Sequence, residues 1–157
     1  MSIEKSLFVY CSFTGNIESL IPMFKKQLDV HIVKLEPAMP YPNEAKEFWE
    51  RYHDEIDNLL LPDYKEMNID FSIYNIVFLV FPNWSNTFPP VIRTFLSKGF
   101  LQEKIIIPLI SHDRNGEADI VDQIKSYTKG NKVTKALVFE GRNLTEIQLE
   151  CFMKDIA

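Results

Sequence analysis

The sequence predicts an α/β protein, a three-layer α/β/α sandwich around a five-stranded parallel sheet. Apolar runs of strand length alternate five times with segments of helical spacing, a pattern typical of a parallel sheet covered by helices on both faces. No internal repeat, linker or low-complexity stretch divides the 157 residues. We therefore expect a single domain over residues 1–157, and right-handed crossovers favour the strand order 2-1-3-4-5.

The predicted strands are short apolar runs. They span residues 6–11, 30–35, 75–81, 104–110 and 133–139. The first and third runs are apolar at almost every position, as strands buried on both faces are. We therefore expect these two strands to be neighbours in the middle of the sheet. Pro82 ends the third run, because proline lacks the N–H that a central strand needs.

A segment of helical spacing follows each strand. The predicted helices span residues 17–28, 44–60, 89–96, 117–127 and 145–155. Pro22 predicts a kink or an irregular start in the first helix, since proline removes one backbone hydrogen bond. Asn43 is placed to cap the second helix and Gly99 to end the third. Thr145 and Gln148 have the spacing of a capping box at the start of the last helix.

The second helix is amphipathic. Phe48, Trp49 and Tyr52 lie on its apolar face, and the first two fit a core position better than an interface. The other face carries the acidic side chains of Glu47, Glu50, Asp54, Glu55 and Asp57. We interpret this acidic face as a solvated outer surface, with a docking surface as the alternative.

The charge balance excludes several classes of function. Lys and Arg number 17 and Asp and Glu number 22, for a net charge of −5. This negative net charge argues against nucleic-acid binding and favours partners with basic patches.

No apolar run reaches the ~20 residues of a membrane span, and we expect a cytoplasmic protein. In that compartment the two cysteines, Cys11 and Cys151, are expected to be reduced and largely buried.

Three polar loops follow the predicted central strands: residues 12–17, 82–90 and 111–116. In a doubly wound sheet they meet at the carboxyl edge, where ligands bind. The first loop combines hydroxyl, amide and glycine residues at a helix start, which suits a phosphate group or simple helix capping. Trp84 in the second loop either covers a flat aromatic ligand or folds back onto the sheet.

These loops resemble those of the flavodoxin family. Ser12-Phe13-Thr14-Gly15-Asn16 is similar to the flavodoxin phosphate loop. Residues 74–84 and 89–96 resemble short bacterial flavodoxin-like proteins, which have a Pro-x-Trp-Trp-Gly loop followed by prolines. Residues 100–107 and Ser111-His112 resemble the next strand of that family and its Thr-His-Gly-Gly loop. The resemblance runs in order from residue 6 to about residue 141.

The resemblance implies a noncovalently bound FMN, which is known at this edge of the sheet in flavodoxin itself. Ser12, Thr14 and Asn16 would supply side-chain donors to its phosphate, and Gly15 and Ile17 would supply backbone N–H groups. Phe13 in the first loop and Pro82 in the second loop are also expected to contact the cofactor. Trp84 would stack on the ring, whose polar edge would meet backbone groups of Asn83, Ser85, Ser111, His112, Asp113 and Arg114.

Several residues depart from the family pattern. Ile17 replaces a hydroxyl residue, Ser85 a tryptophan and Asn86 a glycine, while Asp113 and Arg114 replace a glycine pair.

The function that the resemblance implies is that of an electron carrier or a small flavin-dependent reductase. It needs no catalytic side chain, and its partner would be a redox protein with a basic patch or a small-molecule acceptor. The alternative is a binding or regulatory module that has lost flavin. We expect a monomer or homodimer.

Other chemistries lack their sequence marks. His31, His53 and His112 have no metal-ligand spacing, and no paired cysteines accompany them. The glycine-rich motifs of nucleotide hydrolysis and of dinucleotide binding are absent. Nucleophilic catalysis by Cys11 with His112 is a minor alternative, because both residues follow strand ends.

Overall fold

The central strand of the sheet is β3, Ile76–Pro82, and all of its residues are buried. In this computed structural model, which describes residues 6–157, β3 pairs in parallel with β1 (Ser6–Tyr10) and with β4 (Ile105–His112). β2 (Val30–Lys34) lies beyond β1. The order β2-β1-β3-β4 with a fifth edge position confirms the predicted topology.

The fifth position of the sheet holds two short strands. β5 (Lys132–Val133) and β6 (Leu137–Glu140) both pair in parallel with β4. Val133 lies opposite Ile106 and Leu137 opposite Leu109, so the edge chain has one more residue than β4 between these pairs. The prediction of one continuous strand over 133–139 is therefore wrong, because an extra residue bulges out and interrupts the pairing.

Helices cover both faces of the sheet. They are α1 (Asn16–Gln27), α2 (Ala45–Asp57), α3 (Pro90–Ser97), α4 (Ile120–Tyr127) and α5 (Glu146–Ile156). Phe24 of α1 and Leu149 of α5 belong to the core on one face. Ile92 of α3 and Ile124 of α4 belong to the core on the other face. This arrangement confirms the three-layer sandwich.

The helix ends differ from the predicted ones by a few residues. Pro22 lies inside α1 without ending it. Glu44, not Asn43, caps α2: its carboxylate accepts hydrogen bonds from the N–H groups of Lys46 and Glu47 at 3.0 and 2.9 Å. The α2 helix ends at Asp57, short of the predicted residue 60. α4 begins at residue 120, three residues after the predicted start at 117.

Glu55 is buried, in contrast to its predicted place on the acidic outer face. Its side chain, 6% exposed, accepts hydrogen bonds from the Tyr41 hydroxyl and, at 3.4 Å, from Arg51. Arg51 also donates to the carbonyl oxygens of Met39 and Pro40, each at 2.8 Å. Glu55 and Arg51 thus hold the proline-rich loop before α2 against this helix.

The capping box predicted at Thr145 is present. The Thr145 hydroxyl accepts from the Gln148 N–H at 3.2 Å, and the Gln148 side chain accepts from the Thr145 N–H at 2.9 Å. We expect Thr145→Ala to lower the free energy of unfolding by about 1 kcal/mol, measured by urea denaturation. Ile147→Ala, at a position that is 72% exposed on the same helix, is the control and should change it by less than about 0.5 kcal/mol.

Candidate functional site

A cavity of about 290 Å³ opens at the carboxyl edge of the sheet. All three predicted loops contribute to it, together with α2 and the loop after β6. Its lining residues are Ser12, Thr14, Asn16, Ile17, Trp49, Pro82, Trp84, Ser111, His112, Asp113 and Gly141. The cavity lies where the winding of the sheet reverses, between β1 and β3, which is the usual ligand position in such folds.

The amino end of α1 in this cavity has no side-chain cap. Gly15 occupies the N-cap position with φ of 81°, a left-handed conformation that glycine adopts readily, and no side chain caps the helix there. Within residues 6–157, no hydrogen bond engages the Thr14 hydroxyl or the Asn16 side-chain amide. Because the first amides of a helix carry partial positive charge, this end of the cavity suits an anion.

Glu18 adds a negative charge beside the same loop. Its carboxylate lies 3.2 Å from the Lys34 ammonium group. Burial raises the pKa of Glu18, but interactions with the Ser12 hydroxyl, the Glu18 N–H and Lys34 outweigh it, so the net pKa lies below the ordinary value. The Ser12 hydroxyl, predicted to bind a phosphate, thus lies close enough to Glu18 to lower the pKa of this carboxyl.

Trp84 forms one wall of the cavity within an aromatic cluster. Its ring stacks on Phe13 at a centroid distance of 5.0 Å and lies 5.2 Å from the ring of Trp49. Phe48 and Tyr52 of α2 contact Trp84 with T-shaped geometry, each at 5.7 Å. Aromatic pairs at these distances are favourable, so the Trp84 ring is held at the edge of the cavity by packing.

The loop that carries Trp84 turns in a tight hairpin. Trp84 and Thr87 form an antiparallel bridge, and Ser85 and Asn86 between them have φ of 64° and 61°. Two successive positive φ values are typical of a type I′ turn. Asn86 suits this position, because asparagine tolerates the left-handed region better than most residues.

Hydrogen bonds tie this hairpin to the loop before α4. Asn83 donates from its side chain to the Gly116 carbonyl at 2.8 Å. Gln123 of α4 donates to the Asn86 carbonyl at 3.0 Å and accepts from the Thr87 hydroxyl at 2.6 Å. The position of Trp84 thus depends on residues outside the cavity.

Ser111 and His112 belong to β4, not to the predicted loop that follows it. The Ser111 carbonyl accepts from the Asn83 N–H at 2.6 Å, and its hydroxyl donates to the Gly141 carbonyl at 2.7 Å. The Arg114 N–H donates to His112 Nδ1 at 3.1 Å, so a neutral His112 ring carries its proton on Nε2. Arg114 has φ of 98°, a conformation that glycine adopts more readily than arginine.

Some predicted residues lie outside the cavity lining. Phe13 packs against Trp84, Gly15 caps α1, and Asn83 is 1% exposed with its amide directed to Gly116. Ser85 and Arg114 are exposed and do not line the cavity. A separate cavity of about 550 Å³ lies beside Phe13, but the loops after β3 and β4 do not reach it.

Trp49 and Gly141 line the cavity although the sequence did not single them out for the site. Gly141 follows the fifth strand position, so the parallel topology alone could have placed it at this edge. Trp49 had no such signal, because its helical spacing fits a core face equally well. Gln123 and Thr87, which hold the hairpin, also lacked one.

The structure disfavours the minor nucleophile hypothesis. Cys11 is 1% exposed, and burial raises the pKa of its thiol far above the ordinary value. Cys151 is exposed, contrary to the expectation of two buried thiols.

Among residues 6–157, no group of His, Cys, Asp or Glu side chains could hold a metal ion. No helix in the same range is long and apolar enough to cross a membrane.

The family of this chain follows from a match to a protein-family model. A family model described as Flavodoxin matches residues 5–155. The chain belongs to the flavodoxin family. Among curated protein sequences, none matches this flavodoxin-family chain.

Solved structures share the fold of this flavodoxin-family chain. A candidate flavoprotein from Bacteroides eggerthii is 18% identical with a TM-score of 0.85, and 97% of each chain is covered. A second candidate, from Bacteroides uniformis, is 20% identical with a TM-score of 0.84, covering 96% of this chain and 97% of the other. A flavoprotein from Lactobacillus acidophilus, solved in complex with FMN, is 15% identical with a TM-score of 0.73, covering 95% and 98%.

The lowered pKa of Glu18 makes a pH-dependent prediction. Because its pKa is lower in the folded chain, the ionised carboxylate stabilises the fold at neutral pH, and this contribution is lost as the pH falls below about 4.5. We expect Glu18→Gln to be less stable than the unsubstituted protein at neutral pH, with a difference that shrinks in acid, measured by urea unfolding across pH. An equal shrinkage for Glu150→Gln, an exposed control on α5, would contradict this assignment.

Proposed function

We propose that this protein binds FMN noncovalently and transfers electrons, as a carrier or as a small flavin-dependent reductase. One observation carries the proposal: a single cavity joins the uncapped amino end of α1 to the indole of Trp84. An anion-binding end and a flat aromatic wall match a phosphate and a ring on one molecule. The Lactobacillus acidophilus flavoprotein, solved with FMN, supports this assignment by its similar fold.

The residues present fit the two ends of this cofactor. Thr14 and Asn16 would bind the phosphate through side chains that have no hydrogen-bond partner within the described part of the chain. Ile17 would contribute only its N–H, because its side chain is 1% exposed and packs in the core. Trp84 would stack on the ring. Bound FMN supplies the electron or hydride transfer, while these residues orient it and set its affinity.

A comparison of FMN with riboflavin tests the proposal, because riboflavin lacks the phosphate. Titration calorimetry of the flavin-free protein should show FMN binding at least ~10-fold tighter than riboflavin, since one hydrogen bond to a charged group contributes about 1.5–3 kcal/mol. Thr14→Val should weaken FMN binding and leave riboflavin binding unchanged. A protein that is colourless as purified and takes up no FMN would instead favour the binding module without flavin.

Charged side chains near the proposed flavin ring should shift the midpoint potential of bound FMN. Asp113 lines the cavity, whereas Arg114 does not. Since a nearby carboxylate opposes the addition of electrons, Asp113→Asn should raise the midpoint potential by about 10–40 mV per electron, the equivalent of ~0.2–1 kcal/mol for an exposed charge. Arg114→Gln is the matched control and should shift it by less than half as much. Redox titration showing a larger shift for Arg114→Gln would contradict this assignment.

The partner proposed for this function is a redox protein with a basic patch. The exposed acidic residues of α2, Glu47, Glu50 and Asp54, lie on the helix that carries Trp49 into the cavity wall. Such a partner would be steered electrostatically, so its reaction rate should fall as salt is added. A small-molecule acceptor without charge would show no such salt dependence. We place this reaction in the cytoplasm, where free thiols such as those of Cys11 and Cys151 persist.

A further inference from the structure

Two indoles line the cavity at the carboxyl edge of the sheet. Trp84 belongs to the hairpin after β3, and Trp49 belongs to α2; their ring centroids lie 5.2 Å apart. We propose that Trp49 is a second aromatic wall of the flavin site, supplied by α2.

The packing of α2 directs Trp49 to this place. Phe48 and Tyr52, the neighbours of Trp49 on α2, contact Phe13 of the phosphate loop at 5.7 and 5.9 Å. Tyr52 is fully buried, which fixes the rotation of the helix about its axis. With that rotation set, Trp49 faces the gap between the phosphate loop and Trp84.

Trp49 is packed against other rings and is also partly exposed. It is 38% exposed, its ring lies at 49° to that of Trp84, and it stacks on His53 at a centroid distance of 5.3 Å. A centroid distance of 5.2 Å leaves no room for a third ring between the two indoles, because stacked rings need about 3.5 Å per layer. Stacking of Trp49 on a bound ring therefore requires the Trp49 side chain to turn away from Trp84 about its side-chain torsions.

The inference rests on the proposed function and is tested by FMN affinity. Trp49→Ala should weaken FMN binding by about 3- to 10-fold, as expected for the loss of one aromatic stacking contact. Trp49→Phe keeps a ring and should lose less. Tyr127→Ala is the matched control, because Tyr127 is also 38% exposed and aromatic but lies at the end of α4 outside the cavity lining. It should bind FMN as the unsubstituted protein does.

A second readout reports contact between the ring and each indole. The chain has two tryptophans, Trp49 and Trp84, and stacked indoles quench flavin fluorescence. We expect partial quenching of bound FMN in Trp84→Phe and in Trp49→Phe, and bright fluorescence only when both substitutions are combined. The dissociation constants of the same variants form a double-mutant cycle, which should show coupling between the two sites.

The outcomes separate the two proposals. If the unsubstituted protein binds FMN and Trp49→Ala binds it equally well or more tightly, Trp49 is not a wall of the site and this inference is overturned alone. Unchanged quenching in the Trp84→Phe/Trp49→Phe protein would overturn it as well. If the unsubstituted protein binds no FMN, both the inference and the proposed function fail.

Discussion

Backbone pairing between β1 and β3 determines where a ligand can bind in this protein. The two strands lie in register from Ser6 with Ile76 to Tyr10 with Val80, and the Cys11 N–H extends the pairing to the Val80 carbonyl at 2.9 Å. Because connections to the left and right of this pair wind in opposite directions, the loops that leave it diverge and open a crevice. The loop of residues 12–17 and the Trp84 hairpin flank that crevice, and the stacking of Phe13 on Trp84 joins them.

Aromatic packing completes the crevice from a third side. The proline-rich loop before α2 is held by Arg51 and by the buried Glu55, through Tyr41 and two backbone carbonyls. Arg51 also lies 4.0 Å from the centre of the Tyr41 ring, a cation–π contact. Phe13 in turn contacts Phe48 and Tyr52 of α2, which holds this helix against the loop after β1. The site is thereby built from side chains that are distant in sequence.

The departures from the family pattern affect backbone and side chain differently. Asn86 and Arg114 stand where the family has glycine, and both keep a positive φ. Each non-glycine residue in the left-handed region costs about 1–2 kcal/mol. The side chains differ in their places: Asp113 brings a charge to the cavity lining, whereas Ser85 is exposed and does not line the cavity.

The strand order, the layers and the three converging loops could be predicted from the sequence. The hydrophobic periodicity indicates the strands and helices, and the right-handedness of crossovers restricts how they connect. Most residues predicted in the loop of residues 12–17 do line the cavity, because a loop that follows a central parallel strand lies at the carboxyl edge of the sheet. The bulge in the fifth strand could not be predicted. It depends on register against β4, which no local pattern encodes.

The pattern of apolar strands is enough to specify the sheet, its carboxyl edge and the residue types available there, since burial on both faces requires continuous apolar strands. The place of Trp49 at the cavity, the burial of Glu55 and the hydrogen bond from Asn83 to Gly116 depend instead on tertiary contacts. The rotation of a helix and the hydrogen bonds of a loop are set by partners far along the chain, and those partners meet only when the fold is complete.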